Sequence, residues 1–489
     1  MCRTRQTIEP KAYILARTGT SVIGAIMTES IVASNAIERE LRRAQVGEVI
    51  VAGDDAYQAA RQVWNGAIDR YPLAVVRPTS TQEVAAAVKV AANAGVPLAL
   101  RGGGHGLPGF GTCDGGLVID LNRMKSVTVD EPNRLAVAGP GSTWRIFDEA
   151  TQRFGLASTG GLVSSTGVAG LTLGGGIGWL TRPFGLACDN LHAAQIVTAE
   201  GQIVEANEGL NPDLFWALRG GGGNFGVVTR FDFGLHPVKT VQAGMLFWPI
   251  EATREVAHAY LTWSAGLTDQ FTTMLALVTA PDIPEIPTQM RGQLAVAIVG
   301  CHVGTSDEAT QELREIRTLK PAFDHFGETE YADFQQLFDE DLPTGDRYYF
   351  TGGFADDLSD DLISVMLDHM RRRPSSRCEI DIHHMGGAVT RVAETDSAFA
   401  GRTAQFTFNI MAGWTDPADD EVHQRWARET RTALQPHWRK TGYVNFATDA
   451  ESQAGISDLY GRQRYERLRE VKRRWDPENL FSINQNIRP

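Results

Sequence analysis

The chain lacks the features of membrane-spanning, disulfide-linked and metal-binding proteins. No stretch approaches the roughly 20 consecutive apolar residues that a membrane-spanning helix needs. The five cysteines are an odd number, and no two of them have metal-ligand spacing. This usage predicts free thiols in a reducing compartment. We therefore expect a cytoplasmic protein that contacts no membrane and binds no metal.

The chain also lacks an excess of basic residues. It has 46 Lys and Arg against 59 Asp and Glu, which gives a net charge of −13. That balance argues against nucleic acid or an anionic membrane as a partner. No period of 20–50 residues repeats, so a solenoid or propeller is not expected. The length of 489 residues predicts two or three globular domains, and the oligomeric state is left open.

Two common nucleotide-binding motifs are missing, although glycine is abundant. No Gly-x-Gly-x-x-Gly pattern opens a long helix, and no glycine run ends in Gly-Lys-Ser/Thr. Much of the excess among the 50 glycines instead lies in the short runs 102–106, 174–176 and 220–223. The first run directly follows an apolar strand predicted over Val96–Leu100. Successive glycine amides can bind a pyrophosphate because no Cβ blocks its approach.

His105 lies inside the first glycine run. An imidazole held at a pyrophosphate loop can attack the 8α methyl carbon of an oxidised flavin and form a lasting bond. The alternative is a turn histidine whose ring is satisfied by backbone carbonyls. The local pattern does not decide between the two.

The order of predicted elements indicates an α+β fold. Short strands and helices alternate up to about residue 225, and Ser80 to Glu83 has the capping-box pattern of a helix start. From about residue 240, long alternating runs predict antiparallel strands with one face on a core. These runs are Gln293–Val303, Cys378–Met385 and Gln405–Trp414, and helical segments such as Asp360–Arg371 separate them.

Five blocks of sequence follow one another between about residue 70 and the C-terminus. They are 101–106 with 112–121, 170–182, 185–190, 213–229, and 443–446 with 476–487. In content and order they resemble the berberine-bridge-enzyme-like group of the vanillyl-alcohol-oxidase superfamily. The resemblance implies an FAD-dependent enzyme with a two-subdomain, PCMH-type FAD-binding domain. It also implies a substrate domain with an antiparallel sheet backed by helices.

We predict four regions on this basis. Residues 1–40 are an N-terminal extension, for which disorder and a true start at Met27 are open alternatives. Residues 41–240 form the FAD-binding domain, 241–440 the substrate-binding domain, and 441–489 a segment that returns to the FAD domain.

The resemblance implies a set of cofactor-binding residues. His105 corresponds to the covalent FAD anchor. The other positions implied to surround the cofactor are Arg101, Gly102, Gly103, Gly104, Gly106, Ser164, Ser165, Thr166, Gly167, Gly170, Gly175, Gly178, Val228, Asn484 and Asn486. Many relatives attach FAD a second time through a cysteine, but Val163 occupies that position here. Since valine forms no thioether, we expect a single covalent attachment.

Two residues are the predicted catalytic groups. Tyr443 matches the first tyrosine of the family's Tyr-x-Asn block and is implied as the base. An unperturbed phenol is a poor base at neutral pH, so this role needs help from neighbouring groups. His383 shares one face of its predicted strand with Glu379 and Asp381. An imidazole suits proton transfer near neutrality, but a solvent-facing edge-strand histidine is an equally good interpretation.

The function implied is hydride removal from a C–H beside oxygen or nitrogen of a small organic substrate. Molecular oxygen would then take the electrons and give hydrogen peroxide. Val168 corresponds to a family position that goes with oxygen access, while Ala169 replaces a glycine and could crowd the path. A dehydrogenase with another acceptor and an oxidative cyclase are therefore alternatives. A flavin-storage protein and a nicotinamide dehydrogenase are alternatives of other classes.

Overall fold

The structure is a computed structural model and describes residues 36–447 and 449–489. The described chain contains a four-stranded, a five-stranded and a seven-stranded sheet together with packed helices. This arrangement confirms the predicted α+β class. Within the described residues, no helix combines the length and the apolar character that crossing a bilayer requires.

The first sheet contains strands β1 to β4 in the order β1-β2-β4-β3. Strands β2, β4 and β3 are parallel, and β1 pairs antiparallel with β2. The strands are β1 (Glu48–Val51), β2 (Ala74–Arg77), β3 (Leu98–Arg101) and β4 (Leu117–Asp120), and the helices are α1 (36–43), α2 (Tyr57–Arg61) and α3 (Thr81–Ala94). Ile37 and Leu41 of α1 are buried in the core of this sheet.

Helix α3 and strand β3 lead the chain to the first glycine run. The Ser80 hydroxyl accepts a hydrogen bond from the Glu83 amide at 3.3 Å, and Gly95 ends the helix at φ 62°. The Glu83 carboxylate accepts from the Thr79 amide at 2.6 Å instead of from Ser80, so the capping box is shifted by one residue. Strand β3 follows and ends at the glycines.

The second sheet is antiparallel, with the order β5-β6-β10-β8-β9. A two-stranded ribbon of β7 and β11 accompanies it. The strands are β5 (Val127–Asp130), β6 (Leu135–Ala138), β7 (Leu156–Ala157), β8 (Leu191–Val197), β9 (Ile203–Ala206), β10 (Val227–Gly234) and β11 (His236–Pro237), and the helices are α4 (Trp144–Thr151), α5 (Val168–Leu173), α6 (Thr181–Phe184) and α7 (Pro212–Leu218).

The third sheet has the order β15-β12-β14-β13-β17-β18-β16 and is antiparallel throughout. Its strands are β12 (Thr240–Pro249), β13 (Phe271–Thr279), β14 (Leu294–His302), β15 (Phe323–Glu330), β16 (Arg347–Ala355), β17 (Cys378–His384) and β18 (Phe406–Trp414). The helices of this region are α8 (Thr253–Ala265), α9 (Ser306–Arg317), α10 (Tyr331–Phe334), α11 (Asp360–Arg371), α12 (Ala388–Arg391) and α13 (Asp420–Leu434). Short 3₁₀ turns occur at Leu121–Arg123, Gln152–Phe154, Ala187–Asn190, Ile250–Ala252, Pro417–Asp419, Gln435–His437 and Val444–Phe446.

The two faces of this sheet differ in character, because side chains alternate along each strand. On the back, Leu275, Ile382 and Phe408 lie in register and pack with the helices in one apolar core. On the front, the paired positions Met274, His383 and Thr407 carry the opposite set of side chains. The front face is the one that bears the candidate site.

The C-terminal segment, which contains α14 (Asp449–Tyr460) and α15 (Arg462–Trp475), packs in the core of the second sheet. A buried ion pair fastens it. The Lys472 ammonium donates to the Asp476 carboxylate at 2.6 Å and to the backbone oxygen of Asn224 at 2.7 Å. Asp476 in turn accepts from the amides of Leu480 and Phe481. The pair therefore joins the third glycine run to the chain terminus.

Removing the negative charge of this pair should destabilise the protein strongly. Asp476→Asn leaves a wholly buried ammonium without a counter-charge, a loss of about 3–5 kcal/mol. We expect a lower thermal unfolding temperature and faster proteolysis of the C-terminal segment. The matched control is Glu478→Gln, which removes an exposed charge two residues away. Equal melting temperatures for the two variants would contradict the assignment.

Candidate functional site

A cavity of about 1110 Å³ lies between the N-terminal sheets and the front face of the seven-stranded sheet. Sites for single small molecules usually fall between about 300 and 1,000 Å³. The cavity therefore has room for a large ligand together with a second, smaller one. Its walls include the first glycine run, the end of the third run, and residues of β13, β16, β17 and β18.

Two glycine loops meet at one end of the cavity with no side chain between them. A Cβ added to Gly103 would lie 2.5 Å from the Cα of Gly167, and a Cβ on Gly167 would lie 2.5 Å from the Gly103 amide nitrogen. Any residue larger than glycine would thus force the loops apart. Exposed backbone amides in this setting suit a phosphate-bearing ligand.

Arg101 begins the first loop and lines the cavity, and its guanidinium is hydrogen-bonded to protein groups. It donates to the Asp120 carboxylate at 2.8 Å and to the backbone oxygen of Gln62 at 2.8 Å. Its charge is therefore already paired inside the domain. Arg101 holds the glycine loop in place and has its charge committed to protein groups.

His105 is held in a stack of three rings. Its imidazole lies 4.0 Å from the Trp64 ring, with an interplanar angle of 17°, and Tyr348 stacks on the other side of Trp64 at 4.1 Å. The Ser165 hydroxyl lies 3.4 Å from its Nε2. Burial lowers the pKa of His105 to about 4. The ring is therefore neutral at pH 7, the form in which an imidazole nitrogen is nucleophilic.

The other predicted cofactor residues divide into two groups. Those that line the cavity are Gly102, Gly103, Gly104, Gly106, Thr166, Gly167, Gly170, Val228 and Asn484. The described cavity wall does not include Ser164, Ser165, Gly175, Gly178 or Asn486. Ser164 instead donates to Asp339 at 2.6 Å, in the segment between α10 and β16. A Cβ on Gly175 would strike the ring of Phe399 at 2.5 Å, and one on Gly178 would strike a backbone oxygen at 2.3 Å.

The C-terminal asparagines bring unused acceptors to the same region. The Asn484 amide donates to the backbone oxygen of Gly223 at 3.1 Å. The side-chain oxygens of Asn484 and Asn486 are buried and have no partner among the described residues. Buried polar atoms are normally hydrogen-bonded, so the oxygen of Asn484, which lines the cavity, fits a bound group that carries N–H donors.

Tyr443 lines the cavity, and three N–H groups converge on its hydroxyl oxygen. The backbone amides of Gly176 and Ile177 donate at 3.1 and 3.3 Å, and the Asn445 side chain donates at 2.9 Å. Burial raises the pKa of Tyr443 to about 12, and the three donors oppose that rise. The neighbours that the sequence analysis required are therefore present, but the phenol is neutral at pH 7.

His383 lies on the front face of β17, and the ring of Phe446 is 6.1 Å away. Its Nε2 is buried without a partner among the described residues, and burial lowers its pKa to about 4. The described cavity wall includes Glu379 and Asp381 of the same strand but not His383. His384 points to the other side of the strand, where its Nε2 lies 3.2 Å from the Arg182 guanidinium.

Sequence reasoning missed two partners of the site. Trp64 stacks on His105 from 41 positions earlier in the chain, and Asp339 binds Ser164 from 175 positions later. Both contacts join segments that are distant in sequence, and neither residue stands in a motif. The described cysteines Cys113, Cys188, Cys301 and Cys378 are free and buried.

Comparisons with known proteins agree with this geometry. A family model described as "FAD binding domain" matches residues 72–207, and one described as "Berberine and berberine like" matches residues 442–488. An FAD-linked oxidoreductase of Dictyostelium discoideum is 31% identical over 447 residues, which cover 91% of this chain and 95% of the relative. (R)-6-hydroxynicotine oxidase of Paenarthrobacter nicotinovorans is 28% identical over 471 residues, covering 91% and 97% of the two chains.

The fold of this chain is also similar to that of a solved structure. The crystal structure of 6-hydroxy-D-nicotine oxidase from Arthrobacter nicotinovorans superposes with a TM-score of 0.79 at 26% identity, covering 91% of this chain and 98% of that one. The regions that the two family models match include the glycine loops at Gly103 and Gly167, here called the glycine cradle, and the C-terminal segment. The chain therefore belongs to the berberine-bridge-enzyme-like family of FAD-linked oxidoreductases.

Proposed function

We propose that the protein is an oxidase that carries FAD on a single covalent bond to His105. It takes a hydride from a C–H beside oxygen or nitrogen of a small organic substrate and passes the electrons to molecular oxygen, giving hydrogen peroxide. The observation that carries this proposal is the neutral His105 imidazole, fixed by Trp64 at the glycine cradle. When bound, FAD supplies an acceptor for two electrons and a hydrogen.

The chain's own residues have separable tasks in this proposal. The loops at Gly103 and Gly167 would hold the pyrophosphate through backbone amides, and the free oxygen of Asn484 at the cavity wall would accept a hydrogen bond from the ring system. Tyr443 would bind the substrate heteroatom and, as the phenolate, take its proton and become the phenol; its three N–H donors would stabilise the phenolate before that transfer.

Val163 supports attachment through one bond. Its side chain is buried at the cavity wall, where a second, cysteine-based link would otherwise form. We expect the purified protein to be yellow and to keep its colour in the pellet after acid precipitation. Peptide mapping should find the mass of FAD on the peptide that carries His105 and none on the peptide that carries Val163. A panel of alcohols, sugars and amines with a peroxide readout then tests the oxidase step.

A dehydrogenase is the second candidate, and Ala169 is the observation that favours it. Its methyl group lies at the cavity wall, 3.3 Å from the position of a Cβ on Gly102. The side chain therefore takes up space beside the cradle that a glycine would leave open. Reoxidation of the substrate-reduced protein by air and by a dye acceptor distinguishes the candidates, because an oxidase reoxidises quickly in air.

Replacing Trp64 should slow the covalent attachment. Aromatic pairs contribute about 0.5–1.5 kcal/mol, so Trp64→Ala should reduce the population of correctly oriented imidazole, and the attachment rate, by about two- to tenfold. The measurement is the time course of acid-stable flavin after FAD is added to protein from riboflavin-starved cells. Trp64→Phe keeps a ring against His105 and should retain most of the rate. An unchanged rate in the alanine variant would show that the stack has no orienting role.

A further inference from the structure

The loop at residues 163–167 is one half of the glycine cradle, and backbone hydrogen bonds fix one side of it. The Trp144 amide donates to the backbone oxygen of Thr166 at 3.0 Å, and the Arg145 amide donates to that of Ser164 at 2.8 Å. Both donors belong to the first turn of α4. These bonds attach the loop to α4 and leave the amide and the hydroxyl of Ser164 free to bind on the other side.

Asp339 holds that other side of the loop. Its Oδ1 accepts a hydrogen bond from the Ser164 amide at 2.8 Å, and its Oδ2 accepts one from the Ser164 hydroxyl at 2.6 Å. The Arg145 guanidinium also donates to Oδ2, at 2.7 Å. Hydrogen bonds to a charged group are stronger than neutral ones, and two of them to one residue fix its orientation as well as its position. Ser164 is therefore held between α4 and Asp339.

Asp339 comes from a segment that forms part of the cavity wall. Residues 336–338 and 340–343 line the cavity on either side of it, whereas the described wall does not include Asp339 itself. Its carboxylate is bound to the loop and to Arg145. The carboxylate therefore acts on the site through the loop that it holds, and not by contact with a bound ligand.

The contact that this loop brings to the site is the one between Ser165 and His105. The Ser165 hydroxyl lies 3.4 Å from the His105 Nε2, and Ser165 directly follows the residue that Asp339 binds. The stack on Trp64 fixes the plane of the imidazole, but a stacked ring can still turn within its plane. A hydrogen bond to one ring nitrogen limits that rotation because it is directional. The stack and the hydrogen bond together determine where the other nitrogen points.

We propose that Asp339 is a positioning residue for the covalent attachment of FAD, because it fixes the loop from which Ser165 orients the His105 imidazole. This inference rests on the proposed function and adds a residue to it. Attachment exchanges an 8α C–H bond of FAD and the N–H bond of His105 for a C–N bond. The two electrons and two protons go to the flavin, from which molecular oxygen takes them as hydrogen peroxide. Asp339 exchanges no proton in this step, since its effect is on the direction of the attacking nitrogen.

The test separates the speed of attachment from the binding of FAD. Full-length protein from riboflavin-starved cells is mixed in air with increasing concentrations of FAD, and the formation of acid-stable flavin is followed over time. The data give a limiting rate and the FAD concentration at half that rate. We expect Asp339→Asn and Ser165→Ala each to lower the limiting rate about fivefold, the effect of one lost hydrogen bond. The half-saturating FAD concentration should not change, whereas the loss of a residue that only supported the cradle would raise it.

A double variant shows whether the two residues act through one contact. If Asp339 acts through Ser165, the variant that carries both changes should be no slower than the slower single variant, whereas independent effects would multiply to about 25-fold. Asp333→Asn, which removes an exposed charge on α10, should match the wild type. Ser164→Ala removes the hydroxyl that donates to Asp339 and should also lower the limiting rate, which tests the same contact if Asp339→Asn does not bind FAD.

Two outcomes overturn the proposal. One is a limiting rate that stays at the wild-type value in Asp339→Asn or, where that variant binds no FAD, in Ser164→Ala. The other is a double variant whose rate is the product of the two single effects. Either result leaves the proposed function standing, because the wild type still attaches its flavin. Wild-type protein that forms no acid-stable flavin contradicts the proposed function instead.

Discussion

The His105→Ala protein should release all of its flavin when it is denatured, whereas the wild type should keep its full complement in the precipitate. The physical reason is that the described part of the first glycine loop offers one nucleophilic side chain, and its pKa of about 4 keeps it neutral at physiological pH. The alanine variant retains the glycine cradle and the C-terminal asparagines, so it should still bind FAD without a covalent bond. The measurement is the absorbance of pellet and supernatant after acid precipitation.

A control variant shows whether replacing any histidine, and not His105 in particular, releases the flavin. His325 is exposed on β15, away from the cavity wall, and His325→Ala should retain all of its flavin after denaturation. The rate of covalent FAD attachment to protein from riboflavin-starved cells should also depend on pH, and it should fall only on the acidic side. Because the reactive form is the neutral ring, the rate should be constant above about pH 5 and fall as pH decreases through about 4. A coloured precipitate from His105→Ala would place the bond on another residue.

Local pattern was sufficient for much of the fold. The helices Asp360–Arg371 and Arg462–Trp475 begin and end at the residues that their sequences indicate, and the predicted strand Cys378–Met385 is one residue shorter in the structure. Period-two alternation correctly placed Glu379 and Asp381 on the same face as His383. These features depend on neighbours within a few residues, which is why one sequence suffices to predict them.

Other features of the site depend on contacts between distant segments. The sequence associates Arg101 with the pyrophosphate, but the direction of its guanidinium is set by Asp120 on the neighbouring strand. The orientation of His105 depends on Trp64, and the neighbours of Tyr443 come from the loop at Gly176. A motif identifies such residues as a set, but only tertiary packing decides which groups they face.

Replacing Tyr443 should cause the largest loss of activity that leaves the flavin in place. A positioned general base contributes about 10²–10⁴-fold to a rate, so Tyr443→Phe should lower kcat by a factor in that range on any substrate that reduces the flavin. The variant keeps the ring that packs against Phe446 and Phe399, and the covalent flavin should be unaffected. Tyr71→Phe, at an exposed ring that does not line the cavity, is the matched control.

The pH dependence distinguishes a base from a residue that only fills space. A base acts in its deprotonated form, and the pKa of Tyr443 is about 12, so the phenolate fraction rises tenfold per pH unit below that value. The wild-type rate should therefore increase with pH on the alkaline side, and Tyr443→Phe should lose this increase. Asn445→Ala removes one of three donors to the phenolate, which should raise the pKa of Tyr443 and shift the increase to higher pH.

His383 is the competing base, and a rate that depended on it would change in a different pH range. Its pKa of about 4 means that the ring is already neutral and competent above that pH, so a His383-dependent rate would fall only as pH decreases through about 4. If His383→Ala removes the activity while Tyr443→Phe retains both the rate and the alkaline increase, the roles of the two residues are exchanged. If both variants retain full activity, neither Tyr443 nor His383 is the base that takes the substrate's proton.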